Sequence, residues 1–156
     1  MRTIEIKLYK FEELSQEAKD KAIEDHCGIN VEYWCWWDHI QDEAKELGLE
    51  VEKFHLDHRT INGKLTEDPH EVIRRIKANH GESCETYKTA LHFETQLGLN
   101  QDIADEDSIT QEFESALLED YLSMLRSEYE YLTSFETIED TLRANGYDFT
   151  VDGTLY

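Results

Sequence analysis

Thirty-six Asp and Glu face only fifteen Lys and Arg along 156 residues, a formal net charge of −21. A chain this acidic repels itself, so it folds only if apolar burial outweighs the repulsion. Six Phe, three Trp and eight Tyr, in a sequence that is 39% hydrophobic, supply that burial. A chain of this length can bury roughly 70% of the surface its unfolded form exposes, so a single domain over residues 1–156 needs no disulfide or metal to hold a core. Cys27, Cys35 and Cys84 are too few, and odd in number, for a disulfide framework. They read as free thiols in a reducing cytoplasm. Direct nucleic-acid binding is disfavoured, because phosphate contacts need clustered cations. An anionic membrane surface is disfavoured for the same reason, and no apolar run approaches the roughly 20 residues of a membrane span. The natural partner is a basic protein surface.

The periodicities predict a mostly helical α+β domain with a small antiparallel sheet. Residues 3–9 alternate and read as a strand, with Ile4, Ile6 and Leu8 on one side. Ser15 caps a helix striped with Ala18, Ala22 and Ile23 and ended by Gly28. A second helix is expected over residues 31–47, with Tyr33, Trp36, Trp37, Ile40, Ala44 and Leu47 on one face and Trp34 and Cys35 off it. Residues 49–56 read as a strand whose alternation slips phase midway. Asn62-Gly63 predicts the turn that closes a hairpin. Asp68-Pro69 opens a helix bearing Val72, Ile73, Ile76 and Ala78. Residues 83–97 form another, capped by Gly98. Residues 107–132 form the longest, whose wide apolar arc suits a helix crossing the middle of the fold. Ser134 starts a last helix ending at Gly146, and residues 147–156 close the chain as a strand or small hairpin around Asp152-Gly153.

The charge is unevenly spread. Residues 1–100 hold 21 acids and 13 bases, a net of −8, whereas residues 101–156 hold 15 acids and only Arg126 and Arg143, a net of −13. The acids include Asp102, Asp105, Glu106 and Asp107, then Glu112, Glu114, Glu119, Asp120, Glu128 and Glu130 on the longest predicted helix. Lysines four residues away, which ordinarily compensate helical acids, are missing. Held rigidly, such carboxylates can imitate the phosphates of a duplex and speed encounter with a basic surface. The plainer reading is a solvated acidic face that keeps the protein soluble.

No residue set carries a recognisable reaction. His55 and Asp57 share one face of the predicted strand and could begin a metal site, but His58 points the other way and no third ligand is assignable. Cys35 and His39 lie four apart on the predicted second helix, without a C-x-x-C or H-x₃-H spacing. Adjacent acids such as Glu119-Asp120 diverge around a helix, and no nucleophile elbow, phosphate-binding loop or dinucleotide fingerprint occurs. The expectation is a protein without catalytic residues, cofactor or metal. Trp34, off the apolar stripe, is either a contact to a second layer or an exposed anchor for a partner.

The segments MRTIEIKLYKFEELSQEAKDKAIEDH, EYWCWWDHIQDEAKELGLEVE, NHGESCETYKTA and LTSFETIEDTLRANGYDFTVDGTLY resemble small acidic phage- and prophage-encoded proteins. The resemblance spans most of the chain and includes no reaction-specific motif, so no catalytic residue is carried over. It implies a phage accessory role in the host cytoplasm. Small acidic phage proteins are often anti-CRISPR or anti-restriction inhibitors that occlude a DNA-binding surface. Three readings follow. The first is an inhibitor binding a basic, nucleic-acid-handling face of a host defence protein through Glu112, Glu114, Glu119, Asp120, Glu128 and Glu130, of which only those on the outer side of the helix count. The second is an adaptor anchored by aromatics such as Trp34, and the third a small metal-dependent enzyme around His55, Asp57 or Cys35.

Overall fold

A computed structural model of the protein describes residues 1–99 and 103–156. The fold is α+β, with helices α1 (Gln16–Asp25), α2 (Asp38–Leu47), α3 (Pro69–Asn79), α4 (Glu85–Leu99), α5 (Ile103–Leu132) and α6 (Phe135–Asn145), and an antiparallel pair of strands, β1 (Leu49–His55) and β2 (Thr60–Leu65). No helix among the described residues is long and apolar enough to cross a membrane. The backbone divides into two compact units, residues 1–36 with 128–156, and residues 37–127.

In the first unit, α1 begins where Ser15 accepts the backbone N–H of Ala18 at 3.2 Å. Its buried stripe of Ala18, Ala22 and Ile23 packs with Phe11, Leu14, Ile138, Leu142 and Phe149 into one core. Ser134 caps α6 by accepting the N–H of Thr137, and Gly146 ends it in the left-handed region at φ 62°. The predicted strand over residues 3–9 does not form. Only Tyr9 is paired, exchanging N–H···O bonds of 2.9 and 2.8 Å with Phe149. Alternation supplies a strand's side chains but not the backbone partner a ladder requires, and Ile4 and Ile6 stay exposed. The closing segment is a tight turn with single bridges, Tyr9 to Phe149 and Phe149 to Leu155. The Asp152 carboxylate accepts from the Thr150 hydroxyl and from the N–H and hydroxyl of Thr154, and Gly153 turns at φ 90°.

The second helix starts at Asp38, seven residues later than the periodicity implies. Residues 28–34 instead make tight turns, with the N–H groups of Val31 and Glu32 both reaching the Gly28 carbonyl. Aromatic and β-branched side chains are mediocre helix formers, and this run is held by turns rather than by a helical face. Tyr33 is therefore exposed rather than in the core, whereas Trp36 is buried with its ring 5.6 Å from that of Tyr129.

In the second unit, α2 buries Ile40, Ala44 and Leu47 and ends at Gly48, at φ 98°. The phase slip in β1 is a register shift between Val51 and Lys53, which puts Leu49 and Val51 in the core and turns Glu52 and Lys53 outward. The hairpin does not turn at Asn62-Gly63. It turns at residues 56–59, where Arg59 takes the left-handed conformation at φ 53°, and Asn62-Gly63 lies within β2. Glycine is required there for closeness rather than for turning: a Cβ on Gly63 would lie 2.3 Å from the Glu50 carbonyl oxygen and 2.8 Å from a Leu118 methyl. A non-glycine residue at positive φ costs roughly 1–2 kcal/mol, so Arg59 is held at the expense of stability. Asp68 caps α3 ahead of Pro69, as expected, and Val72, Ile73 and Ile76 are buried, while Ala78 is exposed. Helix α4 runs through Gly98 instead of ending before it, and α5 begins four residues earlier than predicted, at Ile103.

Gly63→Ala should lower stability by about 1–3 kcal/mol, the usual cost of overpacking. Gly98→Ala, whose Cβ meets nothing within 4 Å, should raise it by about 0.5–1 kcal/mol. Urea midpoints of the two variants moving in the same direction would contradict this placement of the glycines.

Candidate functional surface

Helix α5 sorts its carboxylates by the helical repeat. Phe113, Leu117, Leu118, Tyr121, Leu122 and Leu125 are buried and define an inner arc. Asp105, Glu112 and Glu119 recur every seven residues on the opposite side and are all exposed. Among the described residues, neither Glu112 nor Glu119 has a Lys, Arg or His nitrogen within the 4.0 Å ion-pair distance. Glu106 on the same helix is met by the imidazole of His70, at 3.9 Å. Asp102 lies outside the described residues.

The remaining second-unit candidates serve the fold. Glu114 is half-buried and accepts the backbone N–H of Leu65 at 3.0 Å, satisfying a donor on the hairpin edge. Asp120 is half-buried and accepts the Thr89 hydroxyl at 2.6 Å. Burial pushes its carboxyl above the ordinary range, the Thr89 hydrogen bond pulls the other way, and Glu85 and Glu119 add repulsion. Nearby, the Tyr121 hydroxyl is buried and meets no protein donor or acceptor among the described residues. Burial, with Glu43 and Asp120 in its surroundings, pushes that phenol up. Glu43 reaches the His80 ring at 3.0 Å, and His80 also contacts the buried Thr86 hydroxyl. This polar cluster had no periodic signature, since its members come from α2, α4, α5 and the α3 C-cap.

In the first unit, Glu128 is half-buried and Glu130 exposed. Trp34 is 60% exposed, not through an off-stripe helical position but because its loop leaves it outside. Its indole N–H donates to the Asn30 carbonyl at 2.7 Å. Asn30, a buried polar residue, donates its amide to the Leu132 carbonyl at 2.9 Å and accepts the Thr141 hydroxyl at 2.9 Å. The exposed tryptophan is thus fixed to a hydrogen-bonded corner. Asn30 carried no signal in the sequence, because nothing local announces a side chain whose partners are more than a hundred residues away.

The metal candidates are not brought together. The strand rule that paired His55 with Asp57 fails because β1 ends at His55; the His55 ring faces that of His58 across 6.1 Å instead. Cys35 lies in a loop, so its four-residue spacing from His39 is not a helical one. Among the described residues no group of three or more His, Cys, Asp or Glu is placed to hold a metal ion. Cys27, Cys35 and Cys84 are exposed free thiols.

Because the folded-state pKa of Asp120 lies above its unfolded value, its ionised form costs stability. That cost is absent below the unfolded pKa and sets in as pH rises through the folded pKa. Asp120→Asn keeps an oxygen for the Thr89 hydroxyl and should be at least as stable as the parent at neutral pH, with the gain vanishing in acid. Denaturation at both pH values checks this; a loss of stability confined to neutral pH would contradict it. No protein-family model matches the chain, and no curated protein or solved structure matches it either.

Proposed function

We propose that the protein is a non-enzymatic, phage-type inhibitor that binds and occludes a basic, nucleic-acid-handling surface of a host defence protein, in the manner of an anti-CRISPR or anti-restriction DNA mimic. The observation that carries this reading is the line of exposed carboxylates on α5, Glu112 and Glu119, set on a helix whose opposite arc is buried and lacking a cationic partner among the described residues. A helix rises about 1.5 Å per residue, so acids seven apart stand roughly 10 Å from one another. Fixed anionic charge of this kind draws a basic surface from a distance and orients it on arrival. Of the six acids named from sequence, Glu112 and Glu119 are the residues that would contact the partner in the second unit, and Glu130 the exposed one in the first. Glu114 and Asp120 are engaged in hydrogen bonds of the fold.

Immobilised protein should capture a basic nucleic-acid-binding protein from bacterial lysate at low salt and release it at moderate salt, where exposed charges are screened over about 8–10 Å. Glu112→Lys/Glu119→Lys should lose that capture without loss of folding. Capture that is indifferent to both salt and charge reversal would overturn the electrostatic reading.

A second reading is favoured by Trp34, which combines 60% exposure with an anchored indole. It is an adaptor surface in which an aromatic side chain, already ordered, inserts into a partner. Trp34→Ala would then weaken binding by about 2 kcal/mol or more, largely independently of salt. Binding that is unchanged in Trp34→Ala would discard it.

A further inference from the structure

Two open grooves lie side by side where β2 and its loop face α5, with volumes of about 280 and 310 Å³. Arg59 and Glu119 line both; Asn62 and Ser115 belong to the first, and Ser123 and Arg126 to the second. Other arginines of the chain are held by carboxylates: Arg74 and Arg75 share Glu71, at 2.6 and 3.0 Å, and Arg143 holds Glu139 at 2.6 Å. Arg59 and Arg126 have no carboxylate within 4.0 Å among the described residues, although Glu119 lines the same grooves. Arg59 is moreover the one non-glycine residue at positive φ among those described, in a hairpin position that glycine would fill without strain. Strain tolerated at one side chain, beside a groove it lines, is the pattern of a functional position.

We propose that Arg59 and Arg126 form a clamp for the phosphate group of a small soluble aminoalkyl phosphate, whose ammonium group is taken by Glu119. A carboxylate can serve two guanidinium groups of one helix, as Glu71 does, but its oxygens lie in one plane, whereas a tetrahedral phosphate also presents oxygens out of that plane to two arginines approaching from different elements. The hydroxyls of Ser115 and Ser123 and the Asn62 amide supply further donors along the grooves. The net charge of −21 selects against bare polyanions, which the protein's overall field repels. A ligand carrying its own cation meets less of that repulsion and gains the Glu119 contact. This site is independent of the partner surface proposed above, apart from sharing Glu119.

The test is a chemical-shift titration of the full-length protein with O-phosphoethanolamine, and with inorganic phosphate as the arm lacking the amine. O-phosphoethanolamine should shift amides of residues 59–62 and 115–126 saturably and bind at least about tenfold more tightly than inorganic phosphate, the scale of one charge-assisted hydrogen bond. Glu119→Gln should bring the two affinities together. Arg59→Gly and Arg126→Gln should each abolish binding, and Arg59→Gly should do so with Tm unchanged or raised by about 2–4 °C, which separates lost binding from lost folding. Absence of saturable shifts, equal affinity for the two probes in the parent, or undiminished binding in the arginine variants would each overturn the proposal. Because lysate capture through Glu112 does not depend on Arg59, failure here leaves the inhibitor reading to its own test.

Discussion

The burial of one side of α5 is the constraint on which the rest depends. Phe113, Leu117, Tyr121 and Leu125 are fully or almost fully buried, and their spacing fixes the rotation of the helix about its axis. Once that rotation is set, Asp105, Glu112 and Glu119 have only one direction in which to point. Glu114 and Asp120, by contrast, fall where a hydrogen bond can hold them. The acids of α5 therefore include carboxylates that satisfy the fold, through Leu65 and Thr89, and carboxylates such as Glu112 and Glu119 that are exposed and have no cationic partner within 4.0 Å among the described residues. Composition cannot distinguish them; helical geometry does.

Much of the fold was legible because local chemistry and long-range packing agree there. Ser15, Asp68 and Ser134 cap the helices they were expected to cap, and Gly48 and Gly146 end helices in the left-handed region. Even the phase slip in β1 corresponds to a real bulge-like register shift. The failures lie where a local signal is not matched by its surroundings. Asn62-Gly63 has the composition of a hairpin turn, but Gly63 is needed where the Glu50 carbonyl and Leu118 come close, so the turn moves to residues 56–59. The aromatic run at 33–37 has a helical period yet is held in turns below Asp38. Residues 3–9 alternate but find a ladder partner only at Tyr9.

The candidate site was legible in outline. Charge asymmetry pointed to the helix, and the helical repeat sets Glu112 apart from Glu114, but the partner that holds Glu114 depends on where the hairpin edge places the Leu65 N–H. Trp34 is exposed as one of its two readings required, for a reason the helical wheel did not contain: an indole hydrogen bond to Asn30 within a loop. The arginines stayed hidden for a related reason. In sequence Arg59 and Arg126 are two cations sixty-seven positions apart among many acids. Only the packing of the hairpin loop beside α5 gives them a shared groove.

Self-repulsion among the carboxylates is strongest where screening is weakest, so rigidity of α5 at low ionic strength is the most direct measure of whether apolar burial governs this molecule. Amide hydrogen exchange across Phe113–Leu125, followed as salt is withdrawn, reads it. Strong protection that survives at the lowest salt means the inner arc holds the helix against its own charge, as predicted. Exchange in that segment as fast as in an unfolded chain would mean that no fixed array of carboxylates exists.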